Sequence, residues 1–570
     1  MNRFVLRLTI GVLVLFHVTI SSLEAKTVSR AEALSKIVRA LSLPLVQGTR
    51  ISDVPSNHAH VQAIESAFAM GILFPSDRFY PDIAISRAEA LAFAFKAIGW
   101  GHESDLLRTL DPTESDLPPY LVPFVTLAKE SWPSLPKTFT AAPGKNLTKQ
   151  DLDDLASWLG KCMSSGIRWE RRIDQSGLTL LLHREGVGRP SKGWAVTVTE
   201  TVMKNEAEIL AQRFRSQGQP CYLERDSCTI SVRLGPYNSY VEAWLAVRTL
   251  PSKYRSSSIV PVGGGSNALF WAAVVAPASK ASIVTAPAIG ALTLPLSVIA
   301  EQSAALAAVN AGFFWKGRPV GALVVNGTPV SAPYKDRSAI GWNQEGEVSF
   351  GSGNYVLKAK TPYGEVLVPS INSSVKEGFL GFFTPHFGQF ATKIKGQGTE
   401  ILLEKGHVLA SRQSVRSNHF MEPNQNLLFL KTKALGPFAS AKSVDMKIEW
   451  KDPNMKEADQ VIQAGPLLLG SSRGLSGEWF SQSLLEKRHP RTLVGWDTKH
   501  LWWLVIDGRS SWHSLGLTLP EAGYLMRQLG LSDALNLDGG GSSQLWWNGI
   551  TVNSPSEGRE RPLPYAVVFR

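Results

Sequence analysis

The sequence of 570 residues contains little cysteine, with three residues in all. Three cysteines are too few for a disulfide-built scaffold or a four-cysteine zinc site. The eleven histidines include no His-Glu-x-x-His motif, so a metalloprotease is not indicated. The net charge is +11, yet the sequence lacks the basic blocks that nucleic-acid-binding arms use. We therefore expect no nucleic-acid partner, and the scattered positive charge suits an anionic polymer better.

Long apolar runs are also scarce. One run covers residues 8–20, follows Arg3 and Arg7, and leads through small residues to Ala25. A bilayer requires roughly 20 apolar residues, and this run is shorter. The pattern predicts a cleavable signal peptide over residues 1–25 and export to the periplasm or the cell surface. No later segment is apolar over the length of a membrane span, so we expect no transmembrane segment after cleavage.

The remaining chain has the composition of a folded, multidomain protein, with 44% hydrophobic residues and 17 tryptophans. Near the amino terminus, the motif of residues 29–34 recurs at 86–91, and in both copies a serine precedes a glutamate by three residues. This spacing is a capping box, which fixes the start of a helix. A third, weaker unit covers residues 111–152. A repeat of this length indicates a repeated helical unit.

Residues 27–165 resemble the S-layer homology family in the motif Ser-Arg-Ala-Glu, in Asp53-Val54 and in the turn Gly71-Ile72. The resemblance implies α-helical repeats that dock on a cell-wall polymer or on peptidoglycan. The third unit lacks the Arg-Ala-Glu triplet. The alternative is a plain helical bundle in which Arg30 and Arg87 only cap helices and contact solvent.

A small α+β domain is predicted for residues 190–262, because alternating apolar residues from Trp194 are followed by a helical pattern, a second strand and a second helix. This order resembles the SPOR family, which implies binding to the glycan strands of peptidoglycan. Cys221 and Cys228 could form a disulfide within this domain, or they could be separate thiols. Cys162 remains unpaired in either case.

The sequence predicts a larger, sheet-rich mixed α+β domain over residues 267–570. Asn-Gly pairs within residues 322–330 and 544–552 are typical of tight hairpin turns. One helix is predicted to begin after Thr518, with Glu521 completing a capping box. The whole protein is therefore expected to combine helical repeats, a small α+β domain and this larger domain.

Two apolar strands in the larger domain end in an aspartate that is followed by glycine, namely Asp507-Gly508 and Asp538-Gly539. Neighbouring carboxylates could perform acid and base catalysis if their environments separate their pKa values. The simpler interpretation is that each aspartate closes a turn. The amides of Gly539, Gly540 and Gly541, with the hydroxyl of Ser542, could form an anion-binding nest. Arg337, Arg491 and Arg561 occur in turn-rich contexts, where their planar guanidinium groups could bind phosphate.

Several motifs in this domain resemble the phosphodiester glycosidase family, which includes the lysosomal enzyme that uncovers mannose 6-phosphate. They lie in order at residues 310–314, 488–495, 505–509, 516–522, 536–543 and 552–562. The resemblance implies hydrolysis of a sugar-1-phosphodiester, such as that of N-acetylglucosamine, in an envelope glycan or exopolysaccharide. It implies catalytic roles for Asp507 and Asp538. It implies that substrate is bound by Asn310, Arg337, Arg491, Thr492, Gly508, Gly539, Gly540, Gly541, Ser542 and Arg561.

The expected partners are a cell-wall polymer or peptidoglycan and a phosphate-bearing glycan substrate. No spacing of ligand residues identifies a metal site, and no organic cofactor is indicated, although a divalent cation could help to neutralise the phosphate. The alternative function is that of an envelope protein that binds glycan without turnover through a lectin-like carboxy-terminal domain.

Overall fold

The architecture was taken from a computed structural model of the chain. It describes residues 27–45, 51–73, 78–112, 115–188, 193–201, 203–225, 230–238, 240–254, 257–262, 267–376, 378–388, 395–416, 420–431, 436–470, 478 and 480–570. The predicted signal peptide lies outside these residues, and so does Cys228, the proposed partner of Cys221. Within the described part of the chain, no helix combines the length and the apolar character needed to cross a bilayer.

The amino-terminal region is helical, as the repeat predicts. Its helices are α1 (Arg30–Ala40), α2 (Val61–Ala69), α3 (Arg87–Ala97), α4 (Gly101–Leu110), α5 (Val122–Glu130), α6 (Thr138–Ala141) and α7 (Lys149–Ser165). The cap residues Ser29, Ser86 and Thr148 each accept a hydrogen bond from the backbone three residues later. The predicted helix starts at Ser29 and Ser86 are therefore confirmed, and the full capping box is present at Ser86. The third, weaker unit begins its helix in the same way at Thr148.

The two repeat arginines connect successive units. Arg30 pairs with Glu89 at 2.5 Å, and Arg87 pairs with Asp151 at 3.0 Å. Each acidic partner is the residue that closes the capping box of the next unit. The arginines thus tie the repeats together through partly buried ion pairs, which is more than the capping and solvation expected in the plain-bundle interpretation.

A hairpin follows, made of β1 (Arg168–Gln175) and β2 (Leu178–Glu185). Next comes the inserted module, which comprises β3 (Trp194–Thr201), α8 (Lys204–Ser216), β4 (Cys221–Arg225), β5 (Ile230–Tyr237), α9 (Tyr240–Thr249) and β6 (Ser258–Pro261). Its four strands form one antiparallel sheet in the order β4-β5-β3-β6. The predicted α+β pattern is confirmed, and the structure adds β4 and β6.

The remaining residues are rich in strands. They form β7 (Leu269–Ala276), β8 (Ala281–Thr285), β9 (Ala307–Asn310), β10 (Phe314–Trp315), β11 (Arg318–Pro319), β12 (Leu323–Val325), β13 (Thr328–Ser331), β14 (Ser338–Trp342), β15 (Val348–Ser352), β16 (Tyr355–Thr361), β17 (Gly364–Leu367), β18 (Ser370–Ile371), β19 (Leu380–Phe383), β20 (Lys395–Glu404), β21 (His407–Arg416), β22 (Gln425–Leu430), β23 (Asp445–Trp450), β24 (Gln460–Gln463), β25 (Leu467–Leu469), β26 (Arg491–Trp496), β27 (Leu501–Ile506), β28 (Asp533–Asn536), β29 (Leu545–Trp547), β30 (Ile550–Thr551) and β31 (Tyr565–Phe569). The helices are α10 (Leu296–Gln302), α11 (Gln482–Glu486) and α12 (Leu519–Gln528).

Both predicted Asn-Gly hairpins are confirmed. Asn326 and Gly327 join β12 to β13 with φ angles of 48° and 73°, and Asn548 and Gly549 join β29 to β30 with 44° and 96°. The helix predicted after Thr518 is α12, and its capping box with Glu521 is complete. Local turn and capping signals therefore identify these elements correctly.

The largest sheet has seven strands in the order β1-β2-β7-β27-β26-β28-β25. It includes the hairpin of residues 168–185, although the sequence predicts that the large domain begins at residue 267. The inserted module leaves the sheet after β2 and returns at β7, which pairs with β2. The discrepancy arises because strand pairing joins segments that are distant in sequence, and composition does not reveal such pairing.

Strands β27 and β28 lie on either side of β26, and both are antiparallel to it. They are therefore parallel to each other, and their carboxyl ends lie at the same edge of the sheet, about 10 Å apart. The first residues of β26, Arg491 and Thr492, lie at this edge as well. Antiparallel sheets of five strands, β30-β29-β9-β31-β8 and β13-β12-β24-β14-β15, lie nearby and bring Asn310 and Ser338 close to the edge.

Candidate active site

A cavity of about 540 Å³ opens at this sheet edge. Its charged and titratable lining includes Arg337, His489, Arg491, Arg509, Asp538 and Arg561. This volume lies within the range of about 300–1,000 Å³ that is usual for ligand sites. The cavity combines several guanidinium groups with one inner carboxyl group, which suits an anionic ligand beside a proton acceptor.

Asp538 lies two residues beyond β28 and faces the cavity, where it is only partly exposed. Its backbone is held on both sides, because its amide donates to Ala311 O at 3.1 Å and its carbonyl accepts from Asn310 Nδ2 at 2.7 Å. Desolvation raises the pKa of Asp538 to about 6, although Ser542 and the positive charge of Arg561 oppose the rise. At neutral pH this group is ionised and is a stronger base than an ordinary aspartate.

Asn310 and Thr492 support Asp538 from behind. Thr492 Oγ1 donates to Asn310 Oδ1 at 2.7 Å, and the amide of Gln544 donates to the same oxygen at 3.0 Å. Both side chains are buried, and their polar atoms bond within the protein. The structure therefore places these two predicted substrate-binding residues in a positioning role for the Asp538 backbone.

One of the three glycine amides of the predicted anion-binding nest already has an acceptor within the protein. The amide of Gly540 donates to Pro490 O, and those of Ser542 and Ser543 donate to Gly539 O and Gly540 O, at 2.9–3.2 Å. The amide of Gly540 is therefore already engaged, whereas an anion site at the amides of Gly539 and Gly541 stays a prediction. The glycines serve another purpose, because a Cβ atom on Gly541 would overlap the guanidinium of Arg561. The loop lets arginines approach closely.

Arg337 is held among three aromatic rings. Its guanidinium carbon lies 4.3 Å from the ring centre of Phe480, 5.0 Å from that of Tyr334 and 5.5 Å from that of Phe313. Among the described residues its buried Nε has no hydrogen-bond partner. Desolvation lowers the pKa of Arg337, but an arginine remains charged at neutral pH. A cation with an unused donor on a cavity wall is suited to bind an anion.

Arg491 and Arg561 differ in how far the protein already uses them. Arg491 is buried and donates to the carbonyls of Leu484, Lys487 and Leu517 at 2.8–2.9 Å. It therefore braces the loops around the cavity. Arg561 donates to Ser542 Oγ at 3.3 Å, pairs with Glu557 and lines the cavity.

His489 and Arg509 also line the cavity, although neither is among the predicted site residues. Arg509 Nη2 lies 3.4 Å from His489 Nδ1, and Arg509 has a φ angle of 65°. The two loops touch at Gly508, where a Cβ atom would lie 2.6 Å from the amide nitrogen of Pro490. Both residues lie within the motifs at 488–495 and 505–509, and this membership is the signal that could have found them. Gly508 itself serves loop packing.

Asp507 has a different environment from Asp538. It is 1% exposed, and it is not among the described residues that line the cavity. Its carboxyl group accepts hydrogen bonds from His513 Nε2, Asn553 Nδ2 and the amide of Ser554, each at 2.8 Å. Burial raises the pKa of Asp507 to about 6. The structure thus separates the two predicted catalytic carboxylates, with Asp538 at the cavity and Asp507 in a closed polar cluster.

That cluster lies between the large domain and the helical region. His102, at the start of α4, contacts Val552 O through Nε2 at 3.0 Å, and its ring lies 4.8 Å from that of His513. Glu103 and Arg184, both fully buried, form an ion pair at 2.9 Å. Helix α4 is therefore joined to the sheet that carries Asp507.

A divalent cation would find nitrogen and oxygen ligands in this cluster. Ligand atoms of His102, Asp507 and His513 lie within 4.8 Å of one another. However, His513 Nε2 already bonds to Asp507, and His102 Nε2 already bonds to Val552 O. The arrangement is that of a hydrogen-bonded structural cluster, and these residues fit a metal poorly.

Comparison with known proteins bears mainly on the large domain. Among solved structures, a candidate exported protein of Burkholderia pseudomallei is 18% identical with a TM-score of 0.48 and covers 70% of this chain and 96% of its own. A hypothetical protein from Synechocystis is 19% identical with a TM-score of 0.45, covering 70% and 80%. The zebrafish N-acetylglucosamine-1-phosphodiester alpha-N-acetylglucosaminidase catalytic domain, auto-inhibited by its pro-peptide, is 14% identical with a TM-score of 0.30, covering 54% and 78%.

A search among curated proteins finds no match. The family model described as phosphodiester glycosidase matches residues 388–570. This segment includes Arg491, Asp507, Asp538 and Arg561, whereas Asn310 and Arg337 precede it. The last third of the chain therefore matches the phosphodiester glycosidases, and this match supports a glycosidase-type hydrolase.

Proposed function

We propose that the protein hydrolyses a sugar-1-phosphodiester, with N-acetylglucosamine as the model sugar, and cleaves the bond between the anomeric carbon and the phosphate oxygen. The observation that carries the proposal is the position of Asp538, because its carboxyl group lies in one cavity with Arg337, Arg509 and Arg561. The pKa of this carboxyl group is also raised. A base beside a cationic wall matches the two needs of the reaction, which are an activated water and a stabilised phosphate.

In this mechanism the Asp538 carboxylate accepts a proton from a water molecule as the water oxygen attacks the anomeric carbon. The C–O bond to phosphate breaks, and the leaving phosphomonoester keeps the bonding electrons and gains a second negative charge. Arg337 and Arg561 stabilise that charge. Because phosphate leaves without a proton, the reaction needs less acid assistance than the cleavage of an alcohol glycoside.

Asn310 and Thr492 hold the backbone of Asp538 in place, and Arg491 braces the surrounding loops, through the hydrogen bonds described above. The glycines at 539–541 allow Arg509 and Arg561 to lie close to the loop. The predicted residues therefore divide into groups that face the substrate and groups that position them.

The test uses the full-length protein with the methyl phosphodiester of N-acetylglucosamine in ¹⁸O-labelled water. We expect free N-acetylglucosamine that carries ¹⁸O and unlabelled methyl phosphate, detected by mass spectrometry and ³¹P NMR. Label in the phosphate, with release of methanol, would show cleavage at phosphorus and overturn the proposal. No product together with binding of the intact diester would favour the lectin-like alternative.

We also propose that the helical region binds an anionic cell-wall polymer. A cavity of about 660 Å³ there is lined by four basic residues, Arg30, Arg78, Lys96 and Arg108, against two acidic ones, Glu89 and Asp105. Phe79 and Phe93 add aromatic faces, and Arg30 lies 5.2–5.4 Å from their ring centres. Cationic and aromatic side chains in one groove suit a charged glycan.

The second test is cosedimentation of the full-length protein with purified cell-wall sacculi, with and without their anionic polymers. We expect binding that requires the polymers and weakens at high salt. The combined change Lys96→Ala and Arg108→Ala should reduce it about tenfold. Equal binding to stripped sacculi would contradict the proposed site.

A further inference from the structure

The inserted module is fixed to the large domain at several points. Its two ends continue from β2 and β7, which pair directly, with Glu185 opposite Leu269. Beyond these ends, the rings of Trp194 and Trp512 meet edge to face at 6.1 Å. Arg559 lies 5.9 Å from the ring centre of Tyr254, close in sequence to Arg561 of the cavity. The module is therefore held beside the candidate active site.

One edge of the module forms part of the cavity wall. Thr201, Met203 and Glu206, at the junction of β3 and α8, line the same cavity as Asp538. Thr201 Oγ1 donates to Glu206 Oε2 at 3.1 Å and accepts from the amide of Met203, also at 3.1 Å. These bonds orient the Glu206 carboxylate before any ligand arrives.

The large domain contributes an aromatic surface to the same cavity. Phe314 and Trp315 form β10 of a two-stranded hairpin, and Trp315 is 44% exposed. Lys316 follows in the turn with a φ angle of 46°. The ammonium group of Lys316 lies 5.9 Å from the centre of the indole ring, and the exposed remainder of the indole offers a surface for the apolar side of a sugar ring.

The charges in the cavity are arranged in two zones. Asp538 and the arginines lie where side chains are buried or partly buried, whereas Glu206 and Lys316 are both exposed, so the outer zone carries one charge of each sign. A carboxylate repels a phosphate, so Glu206 is a poor neighbour for the diester group. It is a good acceptor for sugar hydroxyl groups, because hydrogen bonds to a charged acceptor are stronger than neutral ones. The outer zone therefore suits a neutral, hydroxylated group.

We propose that Glu206, Met203 and Trp315 form a second saccharide subsite, which binds a neutral sugar joined to the sugar phosphodiester. This inference rests on the proposed function of the inner zone. It makes the protein an enzyme of oligomeric or polymeric glycans, with specificity supplied jointly by the inserted module and the β10–β11 hairpin. Small phosphodiesters fill only the inner zone.

The experiment compares two substrates of the full-length protein: the methyl phosphodiester of N-acetylglucosamine and the same diester extended by two neutral N-acetylglucosamine residues. The wild type should have a higher kcat/KM for the extended substrate. Glu206→Ala and Trp315→Ala should each lower the ratio of the two kcat/KM values about tenfold, the size of one lost hydrogen bond to a charged group or one lost aromatic contact. Glu208→Ala is the matched control, because this exposed glutamate lies on α8 and faces Lys204 at 3.6 Å. Its ratio should equal that of the wild type.

A binding measurement separates this inference from the proposed reaction. Isothermal titration with chitotetraose, which has no phosphate, should show binding that Glu206→Ala and Trp315→Ala weaken and Glu208→Ala does not. If neither diester is hydrolysed but chitotetraose still binds in this way, the proposed reaction fails and the subsite stands. If both diesters are hydrolysed with equal kcat/KM and chitotetraose does not bind, the subsite is overturned and the reaction stands.

Discussion

Asp507 and Asp538 look alike in sequence and differ in surroundings. Each follows an apolar strand and precedes a glycine, and burial raises each pKa to about 6. Asp507 accepts three hydrogen bonds from His513, Asn553 and Ser554 in a closed cluster. Asp538 faces a cavity with arginines around it. The two aspartates thus share a sequence motif and a raised pKa, but only Asp538 lies where a ligand can reach it.

The difference teaches that access to a ligand, rather than basicity, separates a catalytic carboxylate from a structural one. A carboxylate that accepts three hydrogen bonds from the protein and lies outside the cavity stabilises the fold and is not open to a substrate. A carboxylate at a cavity wall keeps at least one direction from which a ligand can approach. The following predictions test these different roles of Asp507 and Asp538.

The largest effect is expected for Asp538→Asn. An amide cannot accept a proton from water at neutral pH, so kcat should fall about 10³- to 10⁴-fold on the methyl phosphodiester. The free energy of unfolding at pH 7 should stay the same or rise slightly, because the change removes a carboxylate whose ionisation is disfavoured in the folded state. Steady-state kinetics and urea denaturation measure the two quantities. Full activity in this variant would remove Asp538 from the mechanism.

The next largest effect concerns the cluster behind Asp507. Glu103→Gln leaves the buried guanidinium of Arg184 without its counter-charge and should cost about 3–5 kcal/mol of unfolding free energy. The kcat of the remaining folded protein should change little, since Asp538 keeps its contacts. Adding Arg184→Gln should recover part of the loss in a double-mutant cycle. A large loss of kcat without loss of stability would show that the cluster takes part in catalysis.

Asp507→Asn is the isosteric counterpart of Asp538→Asn. An amide has one oxygen, so at least one of the three buried donors loses its acceptor, and the variant should lose about 2 kcal/mol of unfolding free energy. Its kcat should fall less than tenfold. The same measurements on both variants should therefore give opposite results. Asp538→Asn should be stable and inactive, whereas Asp507→Asn should be destabilised and active. A pattern with the roles exchanged would refute the assignment of the two aspartates.

Local sequence signals predict much of the fold. The capping residues Ser29, Ser86 and Thr518 locate helix starts, and the Asn-Gly pairs locate hairpins, because these features act over a few residues. These signals do not place the hairpin of residues 168–185 in the large sheet, since its pairing with β7 crosses the whole inserted module. Long-range pairing leaves no local signal.

The site was predictable to the same degree. The motifs identify the segments that meet at the sheet edge, including Asp538 and Arg337. They do not reveal that Thr492 and Arg491 donate hydrogen bonds to neighbouring protein atoms, or that the side chain of Arg509 lines the cavity. Those facts depend on side-chain direction and on the approach of separate loops. The sequence also does not predict that Glu206 lines this cavity, because Glu206 belongs to the inserted module and not to the large domain.

The smallest predicted effect is the pH dependence of kcat/KM, and it discriminates between the two aspartates. If Asp538 acts as a base with a pKa of about 6, kcat/KM should be constant above pH 7 and fall about tenfold per pH unit below 6. The phosphodiester keeps its single charge over this range, so the substrate does not contribute.

Activity is a better measure than stability here, because the stability contributions oppose one another. The raised pKa values of Asp507 and Asp538 contribute stability at low pH that is lost as pH rises from about 4 through 6. Burial lowers the pKa of His102 and His513 to about 4, so their contribution is present above pH 6.5 and is lost as pH falls toward 4. If Asp538 is the titrating base, Asp507→Asn should keep the midpoint of the pH profile of kcat/KM near pH 6. If that substitution abolishes the midpoint, the titrating base is Asp507 and the distinction between the two carboxylates is wrong.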